Sequence, residues 1–382
     1  MRRFLVCSLL QLSVVLFVTL SVEAETPSRK LREFTGARTR VVWVQDQSGR
    51  DGFGRGKKLR LMGLDTGDDK GERAILEDLS NYAQPLLSPA GKRVIYSDTH
   101  ADKFFAVDFD GKNKRTLGDG RAAEVWRDPK TKITWVYYQH GEKTGKEYKY
   151  NPLYRKRLDG KGESEKIWDR TPLDILRFSS FQLSADGTQA GGAFPWAHCG
   201  QVDLAKQQFT KAGSGCWASL APDNTYRLLH LDGKHQNLMI YDKPSAKPRR
   251  IFVPEAAGFH KRLEVYYPRW TSDVRFIAFT GPYRPGRGGY VGNDEGRKVE
   301  IHIAKFDADF SEISSSLQVT DNDKPDLWPD VWIAEPDTAT AGFPTVQAGV
   351  NGPCPLETGL LLMLTAGSIL LVWCLRRTRR TG

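Results

Sequence analysis

The chain has 382 residues, a formal net charge of +10, 40% hydrophobic and 11% aromatic residues. Its 36 glycines and 20 prolines make up about 15% of it, too little for a collagen-like or disordered chain, and the apolar content suffices for a substantial core. A cytosolic protein is excluded too, because both ends read as membrane-type segments.

Met1-Arg2-Arg3 is a short basic start, followed by an apolar run from Phe4 to Leu20 and by Ser21-Val22-Glu23-Ala24. That order is a secretory leader, residues 1–24, with cleavage after Ala24. An uncleaved N-terminal anchor is the alternative, since the run is long for an h-region. Residues 25–37 read as a linker.

Between residues 30 and 340 no helix-period stretch is found. Short β-rich runs alternate with Asp-Gly, Pro-Asp and Gly-rich turns, which predicts many short antiparallel strands. The runs repeat. Leu87-Ser88-Pro89-Ala90-Gly91 precedes Val94 to Asp98, and Leu183-Ser184-Ala185-Asp186-Gly187 precedes Gln189 to Phe194. Leu220-Ala221-Pro222-Asp223-Asn224 precedes Tyr226 to Leu229, and Trp270-Thr271-Ser272-Asp273 precedes Val274 to Phe279. Proline presets φ and glycine or asparagine supplies φ > 0 in such turns. A third strand then tends to end in an acidic turn, as at Asp108 to Gly111, and a basic fourth strand closes the unit, as at Arg249 to Val253.

This pattern resembles the WD40-like repeat of TolB-type proteins, whose consensus centres on a tryptophan, Ser-Pro-Asp-Gly and an aliphatic strand. The resemblance implies an all-β propeller of four-stranded blades over residues 38–335. Complete units start near Tyr82, Ala122, Ser179, Cys216 and Tyr266. The first 45 residues of the body supply only three strands, and the missing inner strand appears at Leu327 to Ile333. We therefore expect six blades, with the C-terminal strand completing blade one and Val331 pairing with the Val41–Val44 segment.

Residues 336–355 read as a second linker. Leu360 to Leu375 is free of charge and is followed by Arg376, Arg377, Arg379 and Arg380. With its preceding residues it predicts a transmembrane helix over 356–375, with the basic tail 376–382 in the cytoplasm and the body outside. The order of a short Pro-containing motif, an apolar helix and an arginine cluster resembles bacterial sorting tails of the PEP-CTERM or sortase type, although Leu356-Glu357-Thr358-Gly359 lacks the sortase proline.

The leader contributes one net positive charge and the tail from Asn351 three, leaving the body about +6, which favours anionic partners without naming one. There is no basic stripe with interleaved aromatics, so nucleic acid is rejected as a partner. Cys199 and Cys216 stand 17 residues apart in the body, and in an oxidising compartment they are expected to form a disulfide, with two buried thiols as the alternative.

In a propeller the loops from second to third strand share one face. Read blade by blade, that position holds Gln45 and Asp46, Asp98 and His100, Gln139 and His140, Trp196 and His198, Asp232 and His235, and Tyr283 and Arg284. Four of the seven histidines fall there, so Asp46, Asp98, His100, His140, Trp196, His198, His235, Tyr283 and Arg284 are the expected ligand-binding set. Trp217, Trp270, Trp328 and Trp332 lie near inner strands, either as mouth platforms or as wedges between blades. The Asp321–Asp326 turn has oxygen ligands but lacks the glycine and terminal glutamate of a calcium loop. The Gly281–Tyr290 loop precedes no helix, so it is no phosphate cradle. No G-x-S-x-G elbow or tight metal-ligand spacing occurs, and no catalytic residues, metal or cofactor are assigned.

The leading expectation is a non-catalytic, membrane-anchored module outside the cytoplasm, in the periplasm or at the cell surface, binding a protein, peptide or glycan of the envelope. The alternative is a metal-dependent polyuronate lyase. Oligogalacturonate lyases have similar repeats, and the likeness would make His100, His140, His198 and His235 metal ligands, with Arg284 or Arg287 pairing substrate carboxylates.

Overall fold

A computed structural model of the protein describes residues 26–335, apart from 69, 141, 145–146, 150–151, 171–179 and 286–297. The leader to Ala24, the segments from 336 onward, Arg287, and with them Cys7, Cys354 and Cys374, lie outside the described residues. No helix among the described residues is long and apolar enough to cross a membrane.

Helix α1 (Pro27–Thr35) is followed by β1 (Thr39–Asp46), β2 (Leu59–Asp65) and β3 (Arg73–Ala74) of blade one. Blade two is β4 (Tyr82–Leu87), β5 (Arg93–Asp98), β6 (Lys103–Asp108) and β7 (Arg115–Asp119). Blade three begins with β8 (Arg121–Arg127) and β9 (Thr134–Gln139), inserts a hairpin of β10 (Glu142–Thr144) and β11 (Glu147–Lys149), and ends with β12 (Leu153–Arg157) and β13 (Glu165–Trp168). Blade four is β14 (Gln182–Leu183), β15 (Gln189–Ala193), β16 (His198–Asp203) and β17 (Gln208–Ser214). Blade five is β18 (Cys216–Leu220), β19 (Leu228–Leu231), β20 (Asn237–Tyr241) and β21 (Arg249–Phe252), with the single turn α2 (Val253–Ala256) behind it. Blade six is β22 (Glu264–Trp270), β23 (Phe276–Tyr283), β24 (Glu300–Phe306) and β25 (Ile313–Gln318), and β26 (Asp326–Ile333) comes last.

The described strands make six four-stranded antiparallel sheets, and β26 is the inner strand of blade one beside β1. The register places Val41 opposite Val331 and Arg40 opposite Trp332, as the count of repeats requires. Closing the ring with strands from both ends of the body removes the open sheet edge a linear stack of blades would leave. Blades pack through apolar faces: Leu86, Ile95 and Phe104 of blade two meet Val125, Val136 and Tyr138 of blade three in one buried cluster.

Residues 25–37, read above as a linker, carry α1. Thr26 caps it by accepting from the Arg29 amide at 3.2 Å, and Gly36 ends it at φ +74° with its N–H on Arg32 O. Leu31 is fully buried in a cluster shared with Val41 and Trp43 of blade one and Phe276 and Ile301 of blade six, so the helix covers the seam where the ring closes.

The repeat has a physical explanation. In the Ser88–Gly91 turn, Ser88 Oγ accepts from Arg93 N at 3.0 Å, and the Trp332 indole of blade one donates to Pro89 O at 3.0 Å. Blade four repeats this: Gln189 N donates to Ser184 Oγ at 3.1 Å, and Trp126 of blade three donates to Ala185 O at 3.0 Å. Each turn glycine lies under the tryptophan of the preceding blade. Gly187 has φ +71° and a Cβ there would sit 2.4 Å from Trp126; Gly91 has φ +67° and would place one 2.5 Å from Trp332. Both position and conformation exclude a side chain. Gly187→Ala is therefore expected to destabilise by about 2–4 kcal/mol, read as a lower denaturation midpoint; an unchanged midpoint would contradict this packing.

Candidate functional site

The inner strands surround the axis, and five of them are bulged. The pairing register slips between Ala83 and Leu86, Ala122 and Glu124, Cys216 and Ser219, and Tyr266 and Arg269, and opposite Val42–Val44 in blade one. At these bulges Gln84, Trp217, Tyr267 and Trp328 adopt left-handed φ of 43°, 52°, 56° and 56°, and prolines follow Gln84, Tyr267 and Trp328. A bulge is where a strand tolerates both a missing N–H and an unusual φ. Together with Ala123 and Ser180, these four residues line an axial cavity of about 40 Å³, so every blade contributes to it.

Below the cavity the axis is closed by a polar network. Arg269 of blade six donates from Nε to Asp330 Oδ1 and from Nη2 to Glu124 Oε2, both at 2.7 Å, and from Nη1 to Phe181 O at 3.1 Å. Asp330 also accepts from Leu87 N at 2.7 Å. Gln182 Nε2 donates to Trp270 O at 3.1 Å, its carbonyl accepts from Ser219 Oγ, and Trp270 Nε1 donates to Ser219 O at 3.3 Å. All six blades are tied into this network. Burial pushes the Glu124 carboxyl up to about 7 against the pull of Arg269.

Above the cavity lies an aromatic floor. Trp217 meets Tyr266 and Tyr267 with ring centres 5.1 and 5.3 Å apart, and Tyr267 meets Trp328 at 5.5 Å. The Gln47–Lys58 loop of blade one folds onto it, with Phe53 against Tyr266 at 5.5 Å and Tyr283 donating to Gly52 O at 3.0 Å.

The described contacts do not bring the nine expected ligand residues into one cluster. Asp46 is buried and shapes its loop, accepting from the amides of Ser48, Arg50 and Asp51 at 3.0, 2.8 and 2.8 Å; burial opposes ionisation, yet these bonds and the Ser48 hydroxyl hold its carboxyl below the usual range. Asp98 accepts from the His100 and Ala101 amides at 2.9 and 3.1 Å, so it is a turn former as well. The His100 ring lies 3.5 Å from Lys57 Nζ. His140 and His198 are exposed on blades three and four. Tyr283 is fully buried, and Arg284 follows it, partly buried. Trp270 is a buried wedge, 1% exposed, whereas Trp196 is 49% exposed.

Trp196 reaches Cys216, and His235 reaches Glu264. Trp196 Nε1 donates to Cys216 Sγ at 3.3 Å. His235 Nδ1 is 3.5 Å from Glu264 Oε2, and Tyr266 donates to the same oxygen at 2.9 Å. Burial pushes the imidazole pKa down, but Cys216 and Glu264 outweigh it and lift it to about 9. The expected Cys199–Cys216 disulfide is not formed: both are free, buried cysteines. Cys199 lies on the third strand of blade four, paired with Gly213, while the Cys216 sulfur faces Trp196; burial and the neighbouring Cys216 push the Cys199 thiol up to about 12. Glu264 was not singled out from the sequence, because nothing local marks it as the partner of a histidine 29 residues earlier.

Among the described residues no three His, Cys, Asp or Glu side chains form a group able to hold a metal. The turn at Asp321–Asp326 instead uses Asn322, whose amide donates to Glu72 at 3.1 Å and to Asp326 at 2.7 Å.

No protein-family model matches the chain, and none of the curated proteins does. Among solved structures, TolB from Acinetobacter baumannii superposes over 80% of this chain and 70% of its own, at 12% identity and a TM-score of 0.52. The described residues form a six-bladed propeller similar in fold to TolB. At that identity the likeness concerns the fold alone. Kuenenia stuttgartiensis hydrazine synthase is similar over 80% of this chain and 48% of its own, at 12% identity and a TM-score of 0.50. An oligogalacturonate lyase in complex with manganese gives a TM-score of 0.37 at 14% identity, over 56% of this chain and 61% of its own, too low to bear on activity.

Proposed function

We propose that the TolB-like body is a non-catalytic binding module, held outside the cytoplasm by the apolar segment near its C-terminus, and that its mouth takes a protein, peptide or glycan of the cell envelope. The observation that carries this reading is the half-exposed Trp196, which we assign to the mouth of a ring whose axis holds the aromatic rings and the Arg269 network. Such a mouth is a cup, suited to a docked surface or chain end more than to a threaded polymer. An amphipathic indole at its rim is the side chain that stacks on sugar rings or anchors protein interfaces. Leader and tail supply the compartment by their sequence.

Trp196 and His198 are both exposed, although Trp196→Ala also removes the indole donor to Cys216. When the full-length protein is used to capture partners from an envelope extract, Trp196→Ala/His198→Ala is expected to recover the enriched component at least tenfold less well than the wild type. Equal recovery would overturn the mouth as the binding surface. The lyase alternative finds no support in the histidines, which are spread over separate blades, with only His235 turned into a cluster.

A further inference from the structure

The turn from first to second strand of blade two walls a cleft of about 660 Å³, at the opposite ends of the strands from the second-to-third loops. Arg40 of blade one, Lys92 and Arg93 of blade two and Arg127 of blade three line it, against two carboxylates, Asp108 and Asp110. Both carboxylates are already bound. Arg93 Nε lies 3.3 Å from Asp108 Oδ1, and Asn113 donates to the other oxygen at 2.6 Å; Lys112 pairs with Asp110 at 2.9 Å. Arg40 shares the single carboxylate of Asp65 with Arg38, at 2.8 and 2.7 Å. Lys92 and Arg127 are exposed and bond to no carboxylate among the described residues, Arg127 Nε donating instead to Lys132 O at 3.3 Å. The cleft therefore carries an excess of positive charge in a concave wall, which focuses attraction on an anion.

The same cleft stands where the described chain ends. Strand β26 finishes at Ile333, and the indole of Trp332 donates to Pro89 O in the cleft wall at 3.0 Å. Arg40, opposite Trp332 in the register, donates to Gly91 O at 2.6 Å. From there residues 336–355 lead to the apolar segment read as a membrane anchor, a reach of at most about 70 Å for a fully extended chain. We propose that this cleft docks the phosphate headgroup of an anionic lipid in the membrane that holds the tail. Guanidinium and ammonium groups are the side chains that hold phosphate oxygens, and basic residues close to an anionic leaflet are drawn to it. The choice of a lipid over free phosphate rests on the anchored reading proposed above.

The full-length protein is mixed with vesicles of phosphatidylcholine alone, or of phosphatidylcholine and phosphatidylglycerol in equal parts, then acetylated with N-hydroxysuccinimidyl acetate and mapped by peptide mass. Flotation with the neutral vesicles reads the anchor. The lysine rates read the cleft and are compared whether or not the chain floats. Lys92 is expected to be acetylated at least threefold more slowly with the anionic vesicles, while Lys234, exposed in the second-to-third loop of blade five, changes by less than half. Molar salt should remove the difference by screening, and Arg127→Gln, at an exposed side chain, should bring it below twofold. Equal Lys92 rates with the two vesicles, equal slowing of Lys92 and Lys234, or a difference untouched by Arg127→Gln would overturn the proposal. Inorganic phosphate slowing Lys92 beside neutral vesicles as much as phosphatidylglycerol does would overturn the lipid as the source. A chain that does not float with neutral vesicles refutes the anchor, and slowing at Lys92 would still support the cleft.

Discussion

Replacing Arg269 by methionine is expected to destabilise the propeller more than any other single change considered. The guanidinium is buried at the axis and binds Glu124 and Asp330, each at 2.7 Å. Removing it leaves two carboxylates facing each other without a counter-charge, which costs about 3–5 kcal/mol, or on the order of 6–15 °C in melting temperature for a domain of this size. The deficit should depend on pH. Burial already raises the Glu124 carboxyl to about 7, above its unfolded value, so its proton favours the folded state at low pH and that contribution is lost as pH rises towards 7. Without Arg269 the carboxyls take up protons more readily, and the deficit should be smaller at pH 5 than at pH 8. Arg269→Met/Glu124→Gln/Asp330→Asn keeps the shapes and the acceptors for Leu87 and Val125 while removing the charge. It should regain at least half of the lost stability in thermal melts. A triple variant no better than the single one would refute the ion-pair explanation.

Glu300→Gln should do the opposite and stabilise the protein, increasingly so at alkaline pH. Glu300 and Asp326 are both buried and adjacent. Thr320 donates to Glu300 at 2.6 Å, while Trp43, Gln45 and Asn322 donate to Asp326 at 2.7, 3.0 and 2.7 Å. No lysine or arginine bonds to either carboxylate in the described structure. Burial first, and then the neighbouring carboxylate, lifts the Glu300 carboxyl well above its usual range, and burial with Glu72 lifts that of Asp326. For a carboxyl raised in the folded state, stability is fully present below the unfolded pKa and lost as pH rises through the folded one. The wild type should therefore lose stability from about pH 5 to pH 9, and Glu300→Gln should lose less. The variant should gain on the order of 2 kcal/mol, about 4 °C, at pH 9 and nearly nothing at pH 4.5. A difference independent of pH, or a loss at every pH, would show that the pair is not strained by its own charge.

Much of the fold was legible in the residues because a propeller repeats one local solution. Ser-Pro-Ala-Gly and Ser-Ala-Asp-Gly need their turn conformations wherever they occur, and the blade count follows from those turns, including the missing strand that β26 supplies. Helix α1 had its signals too, Thr26 as cap, Pro27 after it and Gly36 beyond its end. It was passed over because nine residues are too few for a visible period, and only Leu31 and partly Phe34 dock its apolar side. The histidines show where such reading stops. Their position in the repeat gives no side-chain direction, because direction within a loop depends on what packs against it. His235 turns inward because Glu264, Trp217 and Tyr266 surround it; His198 meets no such wall and remains exposed.

By itself the order of residues determined the turns, the number of blades and the closure of the ring, since these depend on backbone conformations and hydrophobic alternation that act over a few neighbours. Tertiary structure alone decided that Arg269 sits between two carboxylates, that Cys216 faces Trp196 instead of Cys199, and that Glu264 reaches His235. Those pairings join residues up to 145 positions apart (Glu124 to Arg269), and they exist only because closing a circle brings every inner strand to the same axis.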